Sequence, residues 1–569
     1  MFAWLRLAIV LAIIAVLYCW TSQWKIWLLP VVALLILLRW VIYKDVANKQ
    51  ALQHNRSMQA INHAEINALQ TEDYSHFAEG SPHSLPQHAY AADLDIFGPG
   101  SLFQFVNRTV SDIGSAQLAS WLLNPAPKKA IEERQAAITE LQQQIPWVQQ
   151  LQAHGSNSPV SLHTQAQLQQ WMQEPPLFAA PYFKIIRLLL PLISISITVA
   201  TIAGWVGMPV FYANLLFMFV IASGIERKVK PLHAHLSKIT DSLHTLGNSI
   251  NHIEKQNFKA PLLKHLQQAY HHDQSTASAS IGNLKKILDA LDIRYNIVLA
   301  LPINLLLLWN LQQCLRLEKW KQQHSRDITP WFSHLGILEA LGSLAVLRFN
   351  QPHWCFPVVQ EDGYQVQASQ LGHPLIPASK SVTNAIDITQ QPAILLITGS
   401  NMAGKSTYLR SVGVNIVLAM AGAPVCAQSF NLPVVQLISS MRIADNLQES
   451  TSTFYAELKK LKQVIDRVNQ KEKLFILLDE ILRGTNSLDR NTGSRALIKQ
   501  LIHKEAVALI ATHDLDLAAL ENEYPQALQN FHFDVQVSGE ELYFDYRLKP
   551  GICQSMNASV LMKKIGIEI

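Results

Sequence analysis

Residues 393–398 read Ala-Ile-Leu-Leu-Ile-Thr and run directly into Gly399-Ser400-Asn401-Met402-Ala403-Gly404-Lys405-Ser406-Thr407. An apolar strand, a G-x-x-x-x-G-K-S loop and a following helix together form a phosphate-binding unit, and few other sequence features restrict a fold as tightly. The C-terminal part of the chain is therefore expected to be an α/β domain with a largely parallel sheet. Glycines at 399 and 404 let the backbone curl until successive N–H groups point at phosphate oxygens. Lys405 then reaches the β and γ phosphates, and Ser406 can ligate magnesium. Residues 399–407 are the expected nucleotide-binding segment.

The complementary half of such a site is an apolar strand ending in acid, and residues 474–480, Leu-Phe-Ile-Leu-Leu-Asp-Glu, supply it. Asp479 is placed to hold magnesium through water, and Glu480 to polarise the attacking water. A buried strand ending in two solvated acids is the plainer reading, weakened by the loop upstream. A further strand at 506–511 leads into Thr512-His513-Asp514. Alone, a strand-end histidine is more often structural; after these two elements His513 is the expected γ-phosphate sensor. The chemistry implied is magnesium-dependent ATP hydrolysis, with ATP and Mg2+ as cofactors and Ser406 and Asp479 as metal ligands.

A chain of 569 residues is too long for one compact core. Its composition, 49% apolar against 15% charged, calls for membrane segments or unusually large cores. Position decides. Residues 1–20 carry Arg6 as their only charge, residues 24–43 carry Lys25 and Arg39 near their ends, and residues 188–206 and 208–225 carry none before Glu226. Each stretch can span a bilayer. A signal peptide fits the first poorly, since no small-residue cleavage site follows it, and paired uncharged stretches are rare in soluble cores. Lys44, Lys49 and Arg56 follow the first pair; Lys184 and Arg187 precede the second, with Arg227, Lys228 and Lys230 after it. The positive-inside rule puts the ends of both hairpins in the cytoplasm, as in a multi-pass protein of the cytoplasmic (inner) membrane. Residues 297–309, broken by Pro302 and Asn304, are short for a span. A single crossing there would strand the phosphate-binding domain on the side without ATP, so a buried helix is expected.

After the second hairpin Val229, Leu232, Leu236, Ile239, Leu243, Leu246, Ile250 and Ile253 alternate at spacings of three and four, a heptad seam. It can pack within the chain or against a second copy. The 46 basic and 42 acidic side chains leave a net charge of +4, so no global field draws nucleic acid. Five cysteines without paired spacing argue against disulfides or a zinc site.

Taken in order and spacing, Asn401-Met402, Asp445-Asn446-Leu447 with Ser452-Thr453-Phe454, Asp479-Glu480-Ile481 with Arg483-Gly484-Thr485, and Ala511-Thr512-His513 resemble the ATPase domain of the MutS family of DNA mismatch-repair proteins, over about residues 335–569. Upstream, residues 93–138 resemble the opening of that family's core domain through Ser101-Leu102, Asn107-Arg108-Thr109, Gly114-Ser115 and Trp121-Leu122-Leu123-Asn124-Pro125. The resemblance implies a homodimer in which Ser452 acts in trans at the partner's γ-phosphate, supported by residues 551–558. It also implies that residues 371–374 begin the loop leading to the adenine, although the aromatic commonly stacked there is absent. Membrane hairpins stand where mismatch-repair members carry their base-reading domain, and the second one interrupts the core. Residues 227–336 are short for a lever plus DNA clamp, and the sequence stops at Ile569 with no appended nuclease. Phe77-Ala78-Glu79 matches a Phe-x-Glu base wedge, but three residues match easily by chance.

The expected fold is α-helical membrane hairpins and a helical core/lever region plus a C-terminal α/β P-loop NTPase domain of the ABC/MutS type. Expected boundaries are a transmembrane hairpin at 1–43, a polar linker at 44–90, a core-like helical region at 91–186, the second hairpin at 187–225, the second part of the lever/core region at 226–334, and the ATPase domain at 335–569. The expected function is that of a membrane-anchored MutS-like ATPase, lacking the mismatch reader, that hydrolyses ATP as a dimer to drive conformational change, with DNA as partner by family analogy. The alternative is an ATPase subunit of a membrane transport or protein-remodelling assembly with no DNA substrate. Against transport, the hairpins hold few polar residues and no Ser-Gly-Gly-Gln signature lies between Lys405 and Asp479. Glu480 and His513 argue against a scaffold that merely binds nucleotide.

Overall fold

A computed structural model of the chain describes residues 2–18, 24–272, 275–400, 403–441, 453–538 and 541–553. The helices used below are α1 (Phe2–Tyr18), α2 (Trp24–Thr71), α3 (Tyr182–Ile202), α4 (Met208–Leu236), α5 (Thr240–Glu254), α6 (Ile297–Leu307), α7 (Ile328–Asn350), α8 (Lys405–Ala421) and α9 (Thr453–Asn469). Strands are β1 (Val358–Gln360), β2 (Val366–Leu371), β3 (Asn384–Ile388), β4 (Ala393–Thr398), β5 (Ser429–Pro433), β6 (Gln436–Ser440), β7 (Leu474–Asp479), β8 (Val507–Ala511), β9 (Leu528–Ser538) and β10 (Glu541–Pro550).

Among the described residues three helices are long and apolar enough to cross a bilayer: α3, the continuous run from Met208 to Glu254 that holds α4 and α5, and α7. Only 11% of the apolar window is buried in each of the first two, whereas 67% is buried in α7. Protein covers α7, which is the central helix of the helical core; α3 and α4 present Leu188, Leu192, Leu216 and Val220 outward. Solvent water would penalise such a surface, and acyl chains would not. The chain is a multi-pass membrane protein. Helices α1 and α2 pack on each other, and Arg6 near the start of α1 pairs with the buried Asp45 of α2.

Helix α2 does not stop at the membrane. It runs 48 residues in all, through most of the stretch expected as a polar linker, and ends where Glu72 turns left-handed at φ 58°. Its far end is built into the fold: Glu65 pairs with Arg108 and accepts from Asn350 at the end of α7. The Arg108 guanidinium lies 3.5 Å from the Phe77 ring centroid, so Phe77 is a packing residue of this corner.

All eight heptad residues from Val229 to Ile253 are buried. They face helices of the same chain, so the seam is internal. Around α7, Gly114 and Gly336 allow close approach to the helix Asp112–Leu123; a Cβ on Gly336 would lie 2.7 Å from Ile113. The buried Glu339 carboxylate accepts from the Val110 and Ser111 amides at 3.1 and 2.9 Å, just ahead of that helix. Burial holds this carboxyl above the usual carboxylate range.

The larger sheet runs β10-β9-β4-β8-β7-β6, parallel except for β10. A second sheet, β1-β5-β2-β3, is mixed. Every residue of β4, β7 and β8 is buried, as expected of strands covered on both faces. One face packs on α8 and continues into the helical core as a single apolar cluster. The other packs on the helix Ser487–His503.

Candidate nucleotide site

Register assembles the site. Ala511 of β8 pairs with Ile397 on one side and Asp479 on the other, so the ends of β4, β7 and β8 lie side by side. From that edge the chain delivers Gly399 after β4, Glu480 after β7, and Thr512-His513 after β8. The Glu480 amide donates to Ala511 O at 2.9 Å, and the Thr512 amide donates to Ile397 O at 3.0 Å.

Backbone geometry explains both loop glycines. Gly399 has φ 145°, and a Cβ there would meet Phe533 O at 2.9 Å; Gly404 has φ 105° and precedes α8. The Lys405 side chain is 4% exposed and donates from Nζ to Gly399 O at 2.6 Å and Ser400 O at 2.9 Å. Burial lowers the pKa of this ammonium, opposed by Glu480 and Asp479. Asp479 is also buried, which raises its carboxyl above the usual range against the Ser406 hydroxyl bonded to it. One of its oxygens, Oδ1, has no hydrogen-bond partner among the described residues.

Glu480 adopts φ 50°, an uncommon conformation for a side-chain-bearing residue at a strand end. Its Oε2 lies 2.8 Å from Arg483 Nε and 3.9 Å from His513 Nδ1. Behind it, the buried Glu457 of α9 accepts from the Leu482 amide and holds the turn. A cavity of about 570 Å³ opens over Lys405, Ser406, Thr407 and Glu480, with His373, Ile376 and Tyr546 along its other walls. Asn415 of α8, fully buried, donates to Gly372 O and accepts from the Cys426 amide, fixing the 371–374 loop against α8.

A family model, MutS domain V, matches residues 395–565. Among curated proteins, the DNA mismatch repair protein MutS of Persephonella marina is 32% identical over 238 residues, 41% of this chain and 27% of that protein. The MutS of Aquifex pyrophilus is 34% identical over 221 residues, covering 38% and 25%. The chain is a membrane-anchored MutS-like protein. Human MutS protein homolog 4 is 31% identical over 195 residues, 32% of this chain and 20% of that protein. The MutS-like chain spans about a quarter of the length of the first two relatives, and the likeness lies in its C-terminal α/β region.

Of the residues singled out in the sequence, Gly399, Ser400, Ala403, Gly404, Lys405, Ser406, Thr407, Asp479, Glu480 and His513 gather at one edge of the MutS-like domain's main sheet. Asn401, Met402 and Ser452 lie outside the described residues, as do Asp445-Asn446-Leu447 and residues 554–558. Sequence reasoning missed three contributors. Arg483 was quoted only as part of a motif and pairs with Glu480. Glu457 supports the same turn from 25 residues upstream. Tyr546 brings an aromatic ring to the cavity from β10, where no aromatic follows residues 371–374. Neither Glu457 nor Tyr546 carries a local signal, because each reaches the site only through tertiary packing.

Residues 297–309 depart from the expected buried helix. Helix α6 packs along α3 and α4, and its Val298 and Leu301 are 76% and 50% exposed. Pro302 and Asn304 keep the segment short, and protein covers only one of its faces.

Proposed function

We propose that this chain is a magnesium-dependent ATPase of the cytoplasmic membrane that works as a homodimer, using ATP-driven closure of its MutS-like domains to move the helical region, with DNA as the partner acted on. The observation that carries the reading is the buried Lys405 beside Asp479, whose Oδ1 has no hydrogen-bond partner among the described residues. A buried ammonium whose bonds among the described residues go to backbone carbonyls is poised to exchange them for phosphate oxygens, which would restore its full charge. An orphaned carboxylate oxygen beside the Ser406 hydroxyl fits a hard divalent cation that takes its remaining ligands from phosphate and water. When bound, magnesium supplies neutralisation of charge on the β and γ phosphates.

The remaining steps belong to the chain. Gly399 to Gly404 and the first turn of α8 present backbone N–H groups to the phosphates. Glu480, held by Arg483, orients a water for attack on the γ-phosphate and receives its proton, and His513 stands 3.9 Å from the same carboxylate to contact the transferred group. Ser452 completes the site of the partner subunit. The positive flanks support an orientation with the ends of both hairpins on the ATP side. DNA comes to this reading by analogy with the relatives, which are DNA mismatch repair proteins.

ATP turnover by the full-length chain in nanodiscs, with and without plain, mismatched and branched duplex at fixed salt, tests the reading. A DNA-dependent rate that Glu480→Gln abolishes is expected. Turnover indifferent to every DNA would remove DNA from the proposal and leave a membrane or protein partner; turnover unchanged by Glu480→Gln would remove the general base.

A further inference from the structure

The segment that begins after residue 294 and ends before residue 310 has both ends tied to one side chain. Arg294 Nη2 lies 3.3 Å from Glu226 Oε1, and Asn310 Nδ2 donates to Oε2 of the same carboxylate. Glu226 is the first charge in α4 after the uncharged residues 208–225, so it marks the level where the second hairpin leaves the apolar layer. Between these two anchors the chain travels away from that level. Leu305 O accepts from Ser194 Oγ at 3.4 Å, and that oxygen accepts from Asn214 Nδ2 at 3.1 Å. Ser194 lies seven residues past Arg187, the last charge on α3, and Asn214 lies twelve residues before Glu226. At 1.5 Å per helical residue these separations are roughly 10 and 18 Å, and they bracket the depth of the bonded pair inside the layer.

A crossing helix would leave its ends at opposite levels, and a cytoplasmic helix would not reach Ser194. Neither describes α6. Its 11 residues measure about 16 Å, close to half the roughly 30 Å hydrocarbon thickness. Its outer face, with Val298 and Leu301, is uncovered and continuous with the exposed apolar flank of α3 and α4.

Irregular backbone inside lipid must find its hydrogen bonds within the protein. At the end of α6 it does. Leu308 turns left-handed at φ 47° and donates its amide to Asn304 O at 3.0 Å. The Asn310 amide donates to Asn304 Oδ1 at 3.0 Å, while Gln312 Nε2 donates to Leu307 O at 2.7 Å. Asn304, a polar residue in an otherwise apolar helix, is thus the device that closes the break.

We propose that residues 295–309 form a re-entrant membrane segment that enters and leaves the bilayer on the side of the MutS-like domain, its outer face covered by the acyl chains of that leaflet. The segment adds no crossing, so residues 226–294 and 310–553 stay on one side. The proposal rests on α3 and α4 spanning the membrane.

The test uses the full-length chain in phospholipid vesicles, with its five cysteines replaced and single cysteines returned. Spin labels at Val298, Leu301, Leu216 and Leu488 are read for collision with oxygen, which partitions into lipid, and with a water-soluble nickel chelate. Val298 and Leu301 are expected to match Leu216 in oxygen-dominated collisions and to lose the nickel response shown by Leu488. Cysteines replacing the exposed Asp289 and Lys319 are expected to react with an impermeant maleimide from the same side as Leu488→Cys. Nickel-dominated collisions at Val298 and Leu301 beside a lipid-like Leu216 would overturn the re-entrant segment alone. Labelling of 289 and 319 from opposite sides would overturn it in favour of a crossing. A water-exposed Leu216 would remove the hairpin and the proposal together. Should the cysteine replacements disturb folding, a photoreactive benzoylphenylalanine at 301 in the otherwise native chain must cross-link to lipid; cross-linking only to protein overturns the proposal.

Discussion

Lys405 and Asp479 are charged side chains that fold into near-complete burial, 4% and 7% exposed, at an edge of the sheet where nothing in packing alone requires them. Replacing Lys405 with alanine removes charge-assisted bonds of about 1.5–3 kcal/mol, so nucleotide affinity is expected to fall roughly tenfold to hundredfold in a fluorescent-nucleotide titration. A second residue-scale expectation concerns pH. His154 sits between the His54 and His252 rings, with centroids 4.9 and 5.4 Å away. Burial, then these two neighbours, push its pKa down to about 4. Folding therefore favours the neutral ring. The contribution is fully present above the unfolded value near 6.5 and is lost progressively as pH falls from there toward 4. Thermal melts followed by circular dichroism should show the helical region weakening over that window, and His154→Gln should flatten the dependence. The phosphate-loop residues were legible in the sequence because spacing along one short loop dictates their chemistry. Arg483, Glu457 and Tyr546 were less so, since their roles arise from contacts that strand register creates.

Elements carry the coupling between the two halves of the chain. Asp93, 1% exposed, accepts from Ser439 Oγ at 2.7 Å and Met441 N at 3.3 Å on β6 and its exit, and from Lys460 of α9. One carboxylate from the helical half thus grips elements on both sides of residues 442–452. Two neighbours reinforce it: Ser439 N donates to Ala89 O at 3.0 Å, and Arg410 of α8 lies 3.5 Å from Asp95. Asp93→Asn keeps the shape and removes the charge, and its coupling to Lys460→Met in a double-mutant cycle of denaturant unfolding is expected at about 1–3 kcal/mol. Turnover should fall with ATP affinity unchanged; additive stabilities would show that the pair is incidental. The heptad spacing announced a buried seam along α4 and α5 but left its partner open. Both partners present an apolar stripe of the same period, so only the tertiary fold shows that the seam is internal. The end of helix α2 within the polar 44–90 stretch was not legible, because its polar second half has no strong apolar period; packing of Ala68 and the Glu65 pair support it instead.

At the scale of the molecule, the proposed dimer makes a specific demand on how two membrane-bound chains share the work. If Ser452 serves the partner's nucleotide while Lys405 serves its own, the two defects can be separated onto different subunits. Homodimers of Lys405→Ala bind nucleotide weakly and without the lysine's contact to the phosphates at both sites, and homodimers of Ser452→Ala lack the trans contact at both. A mixed dimer keeps one intact site: the Ser452→Ala subunit binds ATP through its own Lys405, and the Lys405→Ala subunit supplies Ser452. Co-expression with two affinity tags and sequential purification isolates that species. Each parental homodimer is expected to lose most of its turnover, by about 10²-fold or more for the transition-state contact, while the mixed dimer recovers about half the wild-type rate per dimer, as one working site of two requires. Mixed dimers as inactive as their parents would place Ser452 in its own subunit's site or outside the reaction. Full activity of Ser452→Ala alone would remove the trans contact, leaving the membrane to bring the chains together without a shared site.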